Sequence, residues 1–184
     1  MTARRVRIIG DPVLRRRADE VVDFDRSLRR LVRDLEDTME EAGGVGLAAP
    51  QIGVGLRVFT YGVDDPASED HMTICHLVNP VIVEESVDEV DDAEGCLSIP
   101  DLSFTLPRPR RLVAKGFNVH GEPLEVAGTE RLARCLAHET DHLDGILFID
   151  RLDPEKRAEA LAEIRRLMLE GEAVRVRESP HASL

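Results

Sequence analysis

Tryptophan is absent from the chain, tyrosine occurs once and phenylalanine five times. With so few rings, the core must rest on Leu, Val, Ile and Ala. Cysteine is scarce as well. Three residues at irregular spacing exclude a complete disulfide framework and suit a reducing cytoplasm. No apolar run reaches the roughly 20 residues of a membrane span. Met1-Thr2-Ala3-Arg4-Arg5 leads into no apolar segment of a secretory signal. Positive charge is also in deficit. The net charge of −12 speaks against a nucleic-acid partner, which would need a basic face. Gly62 to Asp101 holds twelve carboxylates and no Lys or Arg. Removing these twelve from the 36 acidic residues leaves the rest of the chain neutral against its 24 basic residues. The stretch reads as a solvated acidic flank that favours solubility.

What is present describes a globular chain: 184 residues, 42% hydrophobic, enough for one packed core. Asp11-Pro12 is an N-cap followed by a proline at the first helical position. Leu28, Leu31, Val32, Leu35 and Met39 recur at helical spacing, so a helix is expected from Asp25 to Ala42, stopped by Gly43-Gly44. Gly44 to Gly53 is too rich in glycine for a helix and too small-sided for a plain strand. Strands are expected at 57–61, 74–78, 81–85, 112–118 and 124–126, with Asn79-Pro80 breaking the second from the third. Thr129 to Leu143 reads as a helix, and Asp153-Pro154 opens a last one to about Glu170. Its apolar stripe would be Ala158, Leu161, Ile164, Leu167 and Met168. Helices and strands do not alternate as βαβ units, so the class is α+β. One catalytic domain is expected over 1–170, and a flexible tail over 171–184.

The chemistry concentrates in His138-Glu139-Thr140-Asp141-His142. Four residues turn a helix by about 400°, so both imidazoles leave one face, stacked as two ligands of one metal must be. Glu139 stands beside them as a proton carrier. A catalytic site of this kind usually takes three protein ligands and keeps one position open. Glu159 and Glu163 lie about 20 residues on, where some HExxH peptidases place a third ligand. Cys96, in Glu94-Gly95-Cys96-Leu97-Ser98, is the better candidate. It precedes Ile99-Pro100 and is expected on an irregular segment that can expose a thiolate. Cys75 and Cys135 read as structural. His71, His76, His120 and His181 have no partner at ligand spacing.

Three segments together resemble the peptide deformylase family: Gly44-Val45-Gly46-Leu47-Ala48-Ala49-Pro50-Gln51, Glu94-Gly95-Cys96-Leu97-Ser98, and His138 to Gly145. Weaker similarity runs from about Val6 to Leu169. The resemblance implies antiparallel and mixed sheets packed around the HExxH helix, flanked by N- and C-terminal helices. It implies removal of the N-formyl group from nascent polypeptides in the cytoplasm by a monomer, with possible transient ribosome contact. Cys96, His138 and His142 would hold Fe(II), with Zn(II), Ni(II) or Co(II) able to substitute. Glu139 would be the general acid/base. Gln51 and the Leu97 N–H would serve the oxyanion. Gly44, Val45 and Gly46 would accept the substrate backbone, and Glu94 and Arg108 would form a bracing ion pair.

The chain departs from that pattern on the ligand helix. Arg131 and Arg134 fall within about 40° of the ligand face at 100° per residue, where the family usually carries apolar residues lining a methionine pocket. Ala137 replaces a usual Gln, and Asp92 an apolar residue. Two readings follow. The arginines turn outward or pair with Asp91, Asp92 or Glu94; or the pocket takes an acidic or polar side chain in place of methionine.

Overall fold

The computed structural model describes residues 3–64 and 72–169. The N-terminal arm reaches a 3-10 turn, Pro12–Arg15, capped by Asp11, whose carboxylate accepts from Val13 N. Helix α1 (Arg26–Ala42) begins where Asp25 accepts from Ser27 N and Leu28 N. It ends where Gly43 turns left-handed at φ 64°. Its expected stripe is the buried one: Leu28, Leu31, Val32, Leu35 and Met39 all face the interior.

Strands β1 (Gly46–Ala48), β2 (Val58–Asp64), β3 (Met72–Glu85), β6 (Arg111–Phe117) and β7 (Pro123–Thr129) form one antiparallel sheet in the order β1-β2-β3-β6-β7. The small-sided segment after Gly44 is therefore a three-residue strand followed by a 3-10 turn, Ala49–Ile52. Asn79-Pro80 does not break the second strand. β3 runs through it as a bulge, with the register against β6 shifting between Val78 and Val81 and Asn79 at φ 51°. The Asn79 amide makes this tolerable: it accepts from Val21 N and donates to Val21 O.

Strands β4 (Glu89–Cys96) and β5 (Ile99–Pro109) form a separate antiparallel hairpin. The second half of the acidic stretch is thus strand. Cys96, expected on an irregular segment, is the last residue of β4. In β5 Ile99, Leu102 and Leu106 are buried. Pro100, Pro107 and Pro109 hide that alternation from a sequence reading.

Helices α2 (Glu130–Leu143) and α1 lie against opposite faces of the sheet. Phe59, Tyr61 and Leu77 pack with Ala133, Leu136 and Leu143 of α2. Val58 and Val78 pack with Leu28, Leu35 and Met39 of α1. Both faces of β2 are covered, which is why Val58 to Tyr61 are buried without alternation. Thr129 holds the N-cap position of α2 but makes no side-chain cap bond. The last helix, α3 (Pro154–Leu169), buries Ala160, Ile164 and Leu167 against the hairpin and Phe148. Ala158, Leu161 and Met168 of the expected stripe are exposed. The tail expected over 171–184 lies outside the described residues, as do His71 and His181. Among the described residues the architecture is α+β with antiparallel sheets and three helices, the α+β class expected.

Candidate metal centre

Two elements meet at the site. α2 presents His138 and His142 from adjacent turns, with ring centroids 4.8 Å apart. β4 ends at Cys96, whose Sγ lies 3.2 Å from His142 Nε2. Cys96, His138 and His142 each offer one donor atom, and these atoms lie within 4.8 Å of one another. A thiolate and two imidazoles are the donor set that Zn(II) and related first-row cations take, with bonds of about 2.0–2.3 Å. The residues present therefore fit a single divalent cation. Glu163, the other candidate third ligand, hydrogen-bonds Arg166 on α3 and does not join the group.

Glu94 fixes the first imidazole. Its Oε1 lies 2.7 Å from His138 Nδ1 and accepts from Arg108 Nη2, also at 2.7 Å. Its Oε2 accepts from Arg108 Nε and Arg134 Nη1, both at 3.0 Å. Burial alone would raise the Glu94 pKa, but the bonds from His138 and Arg108 hold it well below the usual carboxylate range. An ionised Glu94 can only accept, so His138 carries its proton on Nδ1 and turns Nε2 toward Cys96. The bracing pair expected of Glu94 and Arg108 is wider than a pair. Arg108 Nη1 also donates to Asp141 Oδ2 at 2.8 Å, and Arg151 donates to both oxygens of Asp141. Asp141 lies inside the HExxH pattern, and a buried carboxylate one residue before a ligand was the available signal. Arg151 carried none, because only folding brings it there.

Glu139 is 3% exposed, and among the described residues its Oε2 has no hydrogen-bond partner. Burial pushes its carboxyl up to about 7, against the opposing charge of His138; a cation on the triad would draw it back down. Its other oxygen packs on β1. A β-carbon at Gly46 would stand 2.3 Å from Glu139 Oε1 and 2.8 Å from Cys135 Sγ. One at Gly44 would stand 2.9 Å from a Leu97 methyl. The two glycines thus admit the chain's own side chains. Cys135, buried, hydrogen-bonds the Val45 carbonyl, while Cys75 is half-buried.

Gln51 is buried behind the thiol. Ala48 N donates to its Oε1 at 2.8 Å, which aims Nε2 at Ser98 Oγ (3.1 Å) and Cys96 Sγ (3.6 Å). Ser98 N also donates to Cys96 Sγ at 3.4 Å. Ser98, fully buried, was quoted in the motif without a role. Its position two residues past Cys96, in the turn joining β4 to β5, was the signal.

The two arginines of the ligand helix part company. Arg131 is exposed and pairs with exposed Asp64 at 3.5 Å. Arg134 is 9% exposed, and its guanidinium donates to Glu94, to Val90 O and to Leu106 O.

The family model described as polypeptide deformylase matches residues 3–158. The peptide deformylase of Acidothermus cellulolyticus is 55% identical over 181 residues, covering 98% of this chain and 96% of that one. The crystal structure of a peptide deformylase from Legionella pneumophila superposes with a TM-score of 0.82 at 39% identity, covering 91% and 96% of the two chains. The peptide deformylase of Ehrlichia chaffeensis, solved in complex with actinonin, gives 0.82 at 33% identity, covering 90% and 98%.

Proposed function

We infer the function from one premise: the chain belongs to the polypeptide deformylase family. It is a metal-dependent hydrolase that removes the N-formyl group from the formyl-methionyl end of nascent polypeptides, releasing formate and a free amine. The observation that carries this reading is the convergence of Cys96, His138 and His142 beside a buried carboxylate oxygen of Glu139 that no hydrogen bond engages among the described residues.

Cys96, His138 and His142 would hold one divalent cation, Fe(II) in the cell, with Zn(II), Ni(II) or Co(II) able to replace it. Such a cation supplies Lewis acidity, lowering the pKa of water toward about 7 and polarising a carbonyl. The chain supplies the rest. Glu139 Oε2 takes a proton from the attacking water and returns it to the leaving nitrogen. Gln51 Nε2, its amide oriented by Ala48, donates to the oxyanion together with the Leu97 N–H. Glu94 and Arg108 brace His138. The substrate backbone lies along Gly44, Val45 and Gly46. β1 is at an edge of the sheet and Val45 is exposed, the arrangement by which an extended peptide adds as a strand. The catalytic domain spans 1–170, acts as a monomer in the cytoplasm and touches the ribosome only transiently.

Anaerobic purification, metal analysis and a formate-release assay on a formyl-Met peptide test the reading. Wild type should carry about one metal per chain, and Cys96→Ala should lose both metal and formate release. A Cys96→Ala protein that keeps its metal and cleaves peptides would establish an HExxH peptidase instead. Iron-loaded protein should lose activity in air, since both thiolate and Fe(II) oxidise. Comparing kcat/KM on formyl-Met and formyl-Glu peptides fixes the side-chain preference.

A further inference from the structure

We propose that Arg134 is a positioning residue for the metal-binding imidazole of His138, acting through Glu94, and not a substrate contact. The proposal rests on the reading that Cys96, His138 and His142 hold a cation. Its basis is where the guanidinium goes. Arg134 leaves α2 one turn before His138, yet it does not stand beside the ligands. Nη1 donates to Glu94 Oε2 at 3.0 Å and to Leu106 O at 3.1 Å. Nη2 donates to Val90 O at 2.7 Å and to Leu106 O at 3.1 Å.

Those acceptors lie on β4 and β5, which form no part of the five-stranded sheet. The hairpin carries Glu94 and Cys96; the helix carries both histidines. The convergence of sulfur and imidazoles therefore depends on how hairpin and helix are held together. Arg134 clamps them at three points: both strands and the carboxylate that orients His138. A planar guanidinium can serve several fixed acceptors at once, and an ammonium cannot.

Arg134 also completes the coordination of Glu94. With Arg108 and His138 alone, Oε2 would have one donor. Arg134 gives it the second, so both oxygens are doubly engaged. A carboxylate bonded in this way has one orientation, and so does the ring that it holds. Partners of a ligating histidine typically change metal affinity 10–100-fold when removed.

The test uses the full chain, stripped of metal and titrated with Co(II), whose visible bands and thiolate charge-transfer absorption report the ligand set directly. Arg134→Met should raise the Co(II) dissociation constant about 10–100-fold and alter the absorption bands. Arg134→Lys should fall between the two. Arg110→Met, which removes an exposed cation paired with Glu130, should match wild type. Arg134→Gln serves as a second neutral variant, judged by the same outcomes, should the Met variant fail to fold. Unchanged affinity and spectrum in a folded neutral variant would overturn the proposal. So would unchanged Co(II) binding with a raised KM for formyl peptide, because Arg134 would then contact substrate. Wild type that gives no thiolate absorption with Co(II) would instead overturn the three-ligand site, and the role of Arg134 with it.

Discussion

Gly46 and Glu139 are in such close contact that a single methyl group at position 46 would come within 2.3 Å of the Glu139 Oε1 atom. Cys135 Sγ would stand 2.8 Å from the same methyl group and is itself buried, which leaves little room for the clash to relax. Gly46→Ala should therefore displace the Glu139 carboxylate. A misplacement of about 1 Å at a reacting group can cost on the order of 100-fold in rate. Overpacking should remove about 1–3 kcal/mol of stability. Formate release and thermal melting measure the two effects, and full activity in this variant would deny Glu139 its role as proton carrier.

Glu94→Gln should weaken the site in two ways. An amide cannot accept from Arg108, Arg134 and His138 together, so one buried cation or imidazole N–H loses its partner. Breaking a buried ion pair from one side costs about 3–5 kcal/mol. The His138 ring is also freed to turn, which should lower metal affinity about 10–100-fold. A chemical-denaturation curve and a Zn(II) competition titration separate the two losses. Retained affinity in a destabilised variant would reduce Glu94 to a purely structural residue.

Ile164 and Leu161 lie three residues apart on α3 and should respond differently. Ile164 is 6% exposed within the cluster around Phe148, whereas Leu161 is 36% exposed. Ile164→Ala should cost about 2–5 kcal/mol, and Leu161→Ala should stay within about 0.5 kcal/mol. Equal losses in urea titrations would mean that the helix is rotated from the position described.

Asp150 links stability to pH. Burial would raise its pKa, but hydrogen bonds from Arg15 and the Leu147 N–H lower it below the ordinary aspartate value. A depressed folded pKa means the unfolded chain binds the proton more readily. The stabilisation is therefore present above the unfolded pKa of about 4 and is lost as pH falls through the lower folded value. Asp150→Asn should cost about 1 kcal/mol at pH 7, because the pair with Arg15 is partly exposed. The difference in denaturation midpoint between variant and wild type should shrink toward zero in acid, once the pH has fallen below the depressed folded value. A gap that persists there would mean the carboxylate charge is not the cause.

Much of this protein could be read before folding because its information is local. The α1 stripe from Leu28 to Met39, the Asp25 and Asp11 caps and the HExxH spacing each depend on residues within a turn or two. The departures have a common source in long-range pairing. β3 survives Asn79-Pro80 because Val21, 58 residues away, meets the Asn79 amide. The hairpin β4–β5 was obscured because its core-facing residues in β5 alternate among prolines, and its acidic strand looks like solvent-facing chain. The α3 stripe was placed correctly at Ile164 and Leu167 but extended to Ala158, Leu161 and Met168, which are exposed among the described residues.

The sequence by itself determined that two imidazoles and a carboxylate share one helix, since helical periodicity fixes their directions. It also restricted the third donor to Cys96 or a downstream glutamate. Only the tertiary structure decided which of these arrives, because Cys96 is 42 residues before His138 and reaches it through a hairpin that the helix must clamp. It decided the fate of Arg134 as well. A guanidinium near a ligand face can turn toward substrate or toward carbonyls, and the choice belongs to acceptors that lie 28 to 44 residues away along the chain.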